Sequence, residues 1–325
     1  MKLGRRDFLI AAASAGLLAF VAPKVFSKWV GNKKITSEDL APGAGNFKAI
    51  YLDDAKREEF RLFLKNVFHL YPEEDFHSLI WDLTRKFNTD REIYLELVKR
   101  VDKIKPLFGD LTYSLPSLKK QKQEMADQTG RLLEGYQSQK RYLEIGTMGR
   151  HVSDMKKMTG FKGEAYLLND TPPAFSPADI MERGQVPRLG KFLDIDDYSP
   201  ISENAIEPGS VDLATVYIGF HHAPAGRLSG FLDSIHKAMA PGSALVVRDH
   251  NATDLHRWTL VALAHDVFNA GLHYSWSDTV RQVRHFNSFE EQRKRMKVHG
   301  FEFTGTELYQ EGDPTRNALM KFIRV

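Results

Sequence analysis

The chain has 325 residues, 42% hydrophobic and 27% charged, enough for a full core in one large domain with an appendage or in two domains. Its formal net charge of +3 sits at the N-terminus, where Lys2, Arg5, Arg6 and Lys24 are opposed by Asp7 alone; the balanced remainder gives no global electrostatic case for nucleic acid. Cysteine is absent, which excludes disulfides, thiolate nucleophiles and Cys-ligated metals and suits either side of a bacterial inner membrane.

Met1 to Val30 reads as a targeting segment. Lys2, Arg5 and Arg6 precede an uncharged run from Phe8 to Ala22, short for a bilayer span and of signal-peptide length. Gly4-Arg5-Arg6-Asp7-Phe8-Leu9 resembles the twin-arginine export signal, with Ile10 where Lys is common. The resemblance implies the twin-arginine translocation machinery as a partner and a periplasmic or inner-membrane-anchored protein. A simple anchor with a chance Arg pair is the other reading, and a cytoplasmic location the alternative. Cleavage after Ala22 is disfavoured by Phe20 and Pro23, whereas Val25-Phe26-Ser27 is a better site. No other membrane contact is expected.

Gly31 to Asn46 is polar and Gly/Pro-bearing, so a linker is expected over 31–50. A small helical region is expected over 51–124. Its apolar stripes are Phe60, Phe63, Leu64 and Val67; then Phe76, Leu79, Ile80, Leu83 and Phe87 after Pro72; then Ile93, Leu97 and Val101. Such stripes read as core. Leu118 to Leu133 is a further helix leading into a second domain over 125–325.

From Arg141 the period changes. Apolar runs at Tyr142–Ile145, Ala165–Leu168, Lys191–Ile195, Val211–Ile218, Ala244–Val247, Phe301–Leu308 and Ala318–Val325 are separated by helix-length segments, except the last two. This predicts an α/β, doubly wound, mostly parallel seven-stranded sheet with a C-terminal antiparallel hairpin. In such sheets ligands sit beyond the carboxyl ends of the strands.

At the end of the first run stands Glu144-Ile145-Gly146-Thr147-Met148-Gly149-Arg150. A dinucleotide site would show G-x-G-x-x-G to cradle a pyrophosphate. An acid before a glycine turn suits a cationic ligand instead, such as the amino group of a methionine moiety. Here the chain resembles class I (Rossmann-like) S-adenosylmethionine-dependent methyltransferases. Glu144 and Gly146 match their first motif; Met148 and Arg150 replace further glycines, and Gly149 is displaced by one place. Asp170 stands where the family has the acid that holds the ribose, and Asp194 or Asp196 where it has the acid facing the adenine. Pro208-Gly209-Ser210-Val211-Asp212-Leu213, Ile235 to Leu245 with Pro241-Gly242, and Gly300-Phe301 are similar to its later motifs. The resemblance implies S-adenosyl-L-methionine as cofactor and methyl transfer to a small-molecule acceptor, with Glu144, Gly146, Gly149, Asp170, Asp194 and Asp196 around the cofactor. Capping of the following turn is the other reading of Glu144 and Asp170.

Eight of the twelve histidines lie between His221 and His285. His221-His222 follows the fourth run and Asp249-His250 ends the fifth, both where substrate groups belong. Methyl transfer needs alignment and, for a protonated acceptor, a base. His221, His222, Asp249 and His250 are therefore the candidate catalytic residues, with Asp249 orienting a histidine. Alternation along an extended chain would turn only one of His221 and His222 to the pocket. Hydrogen bonding to loop carbonyls is the structural alternative. The same four residues suit a divalent metal by type, but no tight ligand spacing supports one and none is expected. Thr253 to Phe286 is longer than a crossover and is expected as a lid insertion at about 253–286, with Tyr274 and Trp276 facing substrate or packing on the sheet. Against a methyltransferase stands an exported, catalytically retired binding protein on the same fold; a nicotinamide-dependent oxidoreductase is disfavoured by the missing glycines.

Overall fold

The computed structural model describes residues 45–105, 115–137, 140–175 and 187–325. The export-like segment and most of the expected linker lie outside the described residues. Helix α1, Asn46–Tyr51, opens the described chain, with Phe47, Ile50 and Tyr51 buried, so residues 46–50 of the expected linker are helical. Helix α2, Asp54–Phe63, begins where the Asp53 carboxylate accepts from the Ala55 and Lys56 N–H groups. A π turn, Leu64–Phe68, leads to α3, Glu73–Lys86. Helix α4, Asp90–Arg100, starts with a capping box between Thr89 and Glu92. Helix α5, Leu115–Leu132, then crosses the expected boundary at 124/125 without a break. Its Met125 and Leu132 pack on the sheet, so α5 belongs with the sheet and not with the helices before it.

The sheet has the order β3-β2-β1-β4-β5-β7-β6, with β1 Tyr142–Ile145, β2 Ala165–Asn169, β3 Lys191–Asp194, β4 Val211–Val216, β5 Met239–His250, β6 Phe301–Tyr309 and β7 Asn317–Arg324. The first five strands pair in parallel. Strand β7 runs antiparallel to both β5 and β6. The expected doubly wound sheet with its closing hairpin is the observed one.

Period-two alternation sends successive side chains to opposite faces. On one face Leu143, Ile145, Ala214, Val216, Leu245 and Val247 meet Phe231, Leu232 and Ile235 of α7 (Ala225–Ala238) and Phe289 and Met296 of α10 (Phe289–Val298). On the other, Tyr142, Leu167, Leu213 and Val246 meet α5 and Val152 and Met155 of α6 (Val152–Thr159).

A separate core holds the N-terminal helices. Phe60, Phe63, Phe68, Phe76, Ile93 and Leu97 pack there with Leu260, Leu263, Ala264, Val267 and Ala270 of α8 (Leu255–Gly271). The segment 253–286 thus supplies α8 and the short α9 (Trp276–Arg281), and α8 is an inner wall of the helical core. Tyr274 and Trp276 pack in that core as well, Trp276 with its ring 5.2 Å from that of Tyr94. Tyr71 and Tyr94 donate to the carbonyls of Gly271 and Tyr274 at 2.9 Å, fastening both ends of the contact. Among the described residues no helix is long and apolar enough to cross a membrane.

Candidate functional site

The strand order reverses between β1 and β4, which makes their carboxyl ends the switch point where a ligand would sit. The turn after β1 needs its glycines: Gly146 and Gly149 have φ of 84° and 85°. A Cβ on Gly146 would lie 2.3 Å from Ile218, which therefore packs directly against the turn. Met148 is fully buried, so the departure from the family's glycine pattern serves the core.

Glu144 shares the face of Tyr142 and is fully buried beneath this turn. Its carboxylate accepts from Tyr142 Oη at 3.0 Å, from the His151 N–H at 3.1 Å and from the Thr147 hydroxyl, and the Gly149 backbone also bonds to it. Burial pushes its carboxyl above the usual range, against these hydrogen bonds. These bonds tie the turn in shape, the role that the capping alternative gives Glu144.

Asp170 follows β2 and is half-buried; Asp194 ends β3 and is exposed. The β2–β3 register sets Asn169 opposite Asp194, bringing the two acids to neighbouring strand ends. Asn169 donates to the Thr171 carbonyl at 3.2 Å, while its own Oδ1 is buried without a hydrogen-bond partner. Asp196 is exposed and its N–H bonds to Asp194 Oδ1 at 2.9 Å. Asp196, Asp197 and Tyr198 all have positive φ, 42° to 58°, and Arg227 pins this turn by donating to the Asp196 and Asp197 carbonyls at 3.3 Å.

Beyond β4 the chain passes through Gly219, φ 79°, into a 3-10 turn at Phe220–His222. A Cβ on Gly219 would lie 2.5 Å from His221 Nδ1 and 3.0 Å from the Asp249 carboxyl carbon, so only glycine admits this pair. His221 Nδ1 stands 2.6 Å from Asp249 Oδ1 and both residues are buried. The same oxygen accepts from the His250 N–H at 2.8 Å, and Oδ2 from the Phe220 N–H at 3.0 Å. Burial alone would raise the Asp249 carboxyl; the charge and hydrogen bond of His221 outweigh it and hold it below the ordinary value. The Nε2 of His221, on the side of the ring away from Asp249, is buried and without a hydrogen-bond partner.

The His222 ring lies 4.1 Å from that of His221. Both therefore turn into one cluster, contrary to the alternation expected of a strand, because the backbone there is a helical turn. His265 of α8 completes the group, its ring 5.3 Å from His221 and 5.7 Å from His222. Side-chain nitrogens of His221, His222 and His265 all lie within 4.8 Å of one another. His265 escapes a sequence reading: it sits inside an apolar helix, more than forty positions from its partners. His250 is placed differently, donating to the Thr315 carbonyl at 3.2 Å and with Asn317 Nδ2 3.4 Å from its Nε2. Burial and the charge of His221 push it down to about 3, and burial holds His222 and His265 well below the usual histidine range.

No family model and no curated protein matches the chain. Among solved structures it is similar to an O-methyltransferase family 2 protein from Planctomyces limnophilus DSM 3776 in complex with apigenin, at 16% identity, TM-score 0.47, covering 98% of this chain and 94% of that one. It is similar also to a SAM dependent methyltransferase from Aquifex aeolicus (14% identity, 65% of this chain and 98% of that one, TM-score 0.39). A third is the magnesium protoporphyrin IX methyltransferase ChlM from Synechocystis PCC 6803 with bound SAH (10%, 62% and 83%, TM-score 0.41). Strand order and direction, observed directly, give the chain the sheet that its resemblance to class I methyltransferases implied.

Proposed function

We propose that this chain is an S-adenosylmethionine-dependent methyltransferase acting on a small-molecule acceptor. One observation carries the reading: the strand order reverses beside a positive-φ glycine turn, with acids at the neighbouring ends of β2 and β3. The donor set fits the cofactor's cationic and hydroxyl-bearing parts, and the buried, unpartnered Oδ1 of Asn169 adds an acceptor there. Gly146 and Gly149 would shape the turn beside the cofactor, Asp170 would hold the ribose, and Asp194, with Asp196 beside it, would stand toward the adenine. When bound, the cofactor supplies an electrophilic methyl group on a sulfonium.

The chain's own work would be alignment of the acceptor and, where the acceptor carries a proton, its removal. His221 is built for that step, since Asp249 fixes its tautomer and leaves Nε2 as a base. In thermal denaturation, S-adenosylmethionine or S-adenosylhomocysteine should raise the melting temperature; a hundredfold excess over Kd adds about 2.7 kcal/mol. Asp170→Ala should abolish the shift and still fold. A shift with NAD and none with either sulfur ligand would overturn the assignment.

A second reading, a catalytically retired binding protein on this fold, is favoured by Ile218, which fills the space over Gly146. It predicts no shift with S-adenosylmethionine, S-adenosylhomocysteine or NAD. We further propose export by the twin-arginine machinery through Arg5 and Arg6. Replacing both by Lys should leave the protein in the cytoplasm; equal periplasmic recovery of variant and parent would show that the Arg pair is incidental.

A further inference from the structure

We propose that His221, His222 and His265 bind a divalent first-row transition-metal ion, with Asp249 as the carboxylate partner that orients His221. Three imidazoles from two separate elements, the turn after β4 and helix α8, bring their nitrogens within 4.8 Å. Around a tetrahedral ion with bonds of about 2.0–2.1 Å such nitrogens stand about 3.3 Å apart.

The surroundings are those of ligating histidines. A ligating imidazole commonly donates its other ring N–H to a carboxylate or a backbone carbonyl, which fixes ring and tautomer. His221 Nδ1 meets Asp249 at 2.6 Å, His265 Nδ1 meets the Val261 carbonyl at 2.9 Å, and His222 is hydrogen-bonded to the Val283 backbone. Asp249 is itself held by the N–H groups of Phe220 and His250, so it cannot swing away from His221. The buried Nε2 of His221, without a partner, is a costly atom that an ion would satisfy. His250 stays outside the set, since its ring is committed to Thr315 and Asn317.

The chemistry of the donors narrows the ion. Uncharged imidazole nitrogens suit zinc, copper, nickel, cobalt or iron and not magnesium or calcium. Val261, Ala262 and Phe286 form an apolar cluster beside the histidines, with the Phe286 ring 5.0 Å from His265 and 5.1 Å from His221. The Arg284 guanidinium, which also lies close, is paired with Asp266 at 2.7 Å and so opposes a dication less. Three protein donors leave a coordination position for a small molecule.

The inference does not rest on methyl transfer: ion binding is read without S-adenosylmethionine, and either reading can fail alone. An ion on Nε2 takes the lone pair that proton removal would use, so the free-base role of His221 belongs to the metal-free protein. The test is titration of the untagged full chain, stripped with chelator, with Zn2+ by calorimetry and with Co2+ by visible absorption. One ion per chain should bind, with the intense visible bands of tetrahedral or five-coordinate cobalt. His265→Ala should weaken binding at least a hundredfold, and Asp249→Asn about 10- to 100-fold. His273→Ala, at an exposed residue paired with Asp102, should change nothing. If His265→Ala fails to fold, His265→Gln takes its place. No binding at micromolar ion, or equal binding by the parent and by both the His221→Ala and His265 variants, would overturn the proposal.

Discussion

At Asp90 one carboxylate takes two backbone N–H groups, those of Asn46 at 2.6 Å and Phe47 at 3.2 Å, and so fastens the start of α1 to the start of α4. The cost of this joint is electrostatic. Burial first, and the nearby Asp266 carboxylate second, push Asp90 up to about 6 from an ordinary 3.8, against the two hydrogen bonds. Between those values the folded chain keeps a proton that the unfolded chain releases. Stability from this group is therefore greatest below pH 4 and falls as pH rises through 6. Asp90→Asn keeps an acceptor for the N–H groups and removes the titration. Urea denaturation of parent and variant at pH 4, 5, 6 and 7 should show the variant gaining on the parent as pH rises. Parallel profiles would mean that Asp90 titrates normally.

Elements differ in how far they can be read from sequence, and the reasons are local. Strand β1 is legible to the residue because Tyr142–Ile145 is a short apolar run closed by glycine, and its Glu144 stands out as an acid in a buried strand. Its direction is legible too, since it must share a face with Tyr142, but what lies on that face is set by α5 and α6. The histidine turn is misread as extended because nothing in Phe220-His221-His222 marks a helix; Gly219 is the signal, and its positive φ depends on the His221–Asp249 pair it makes room for. His265 is legible only in three dimensions. Its helix is apolar on nearly every side, so a polar residue there has no pattern to break, and its partners come from another strand end. The helical stripes Phe60, Phe63, Phe76, Ile80, Ile93 and Leu97 are legible as core, whereas their partner α8, some 160 positions onward, is not.

That partner packs the N-terminal helices against a helix of the sheet domain. Helix α8 leaves the end of β5, carries His265 to the histidine cluster, and gives Leu260, Leu263 and Val267 to the N-terminal helices. A chain divided at 124/125 would cut α5 and leave α8 without the surface that covers it. The helical region and the sheet should therefore unfold together. Leu263→Ala, at a fully buried position, should cost about 2–5 kcal/mol of stability. It should shift near-ultraviolet circular dichroism and tryptophan fluorescence through the same midpoint as far-ultraviolet circular dichroism. A second test keeps α5 whole: residues 115–325 alone expose the apolar side of α8 and should aggregate or bind a hydrophobic dye. Two separate transitions in the parent, with only the first moved by Leu263→Ala, would show instead that the helices fold as a detachable cap. In that case the 115–325 fragment would fold with the same melting temperature as the second transition, and α8 would owe its order to the sheet alone.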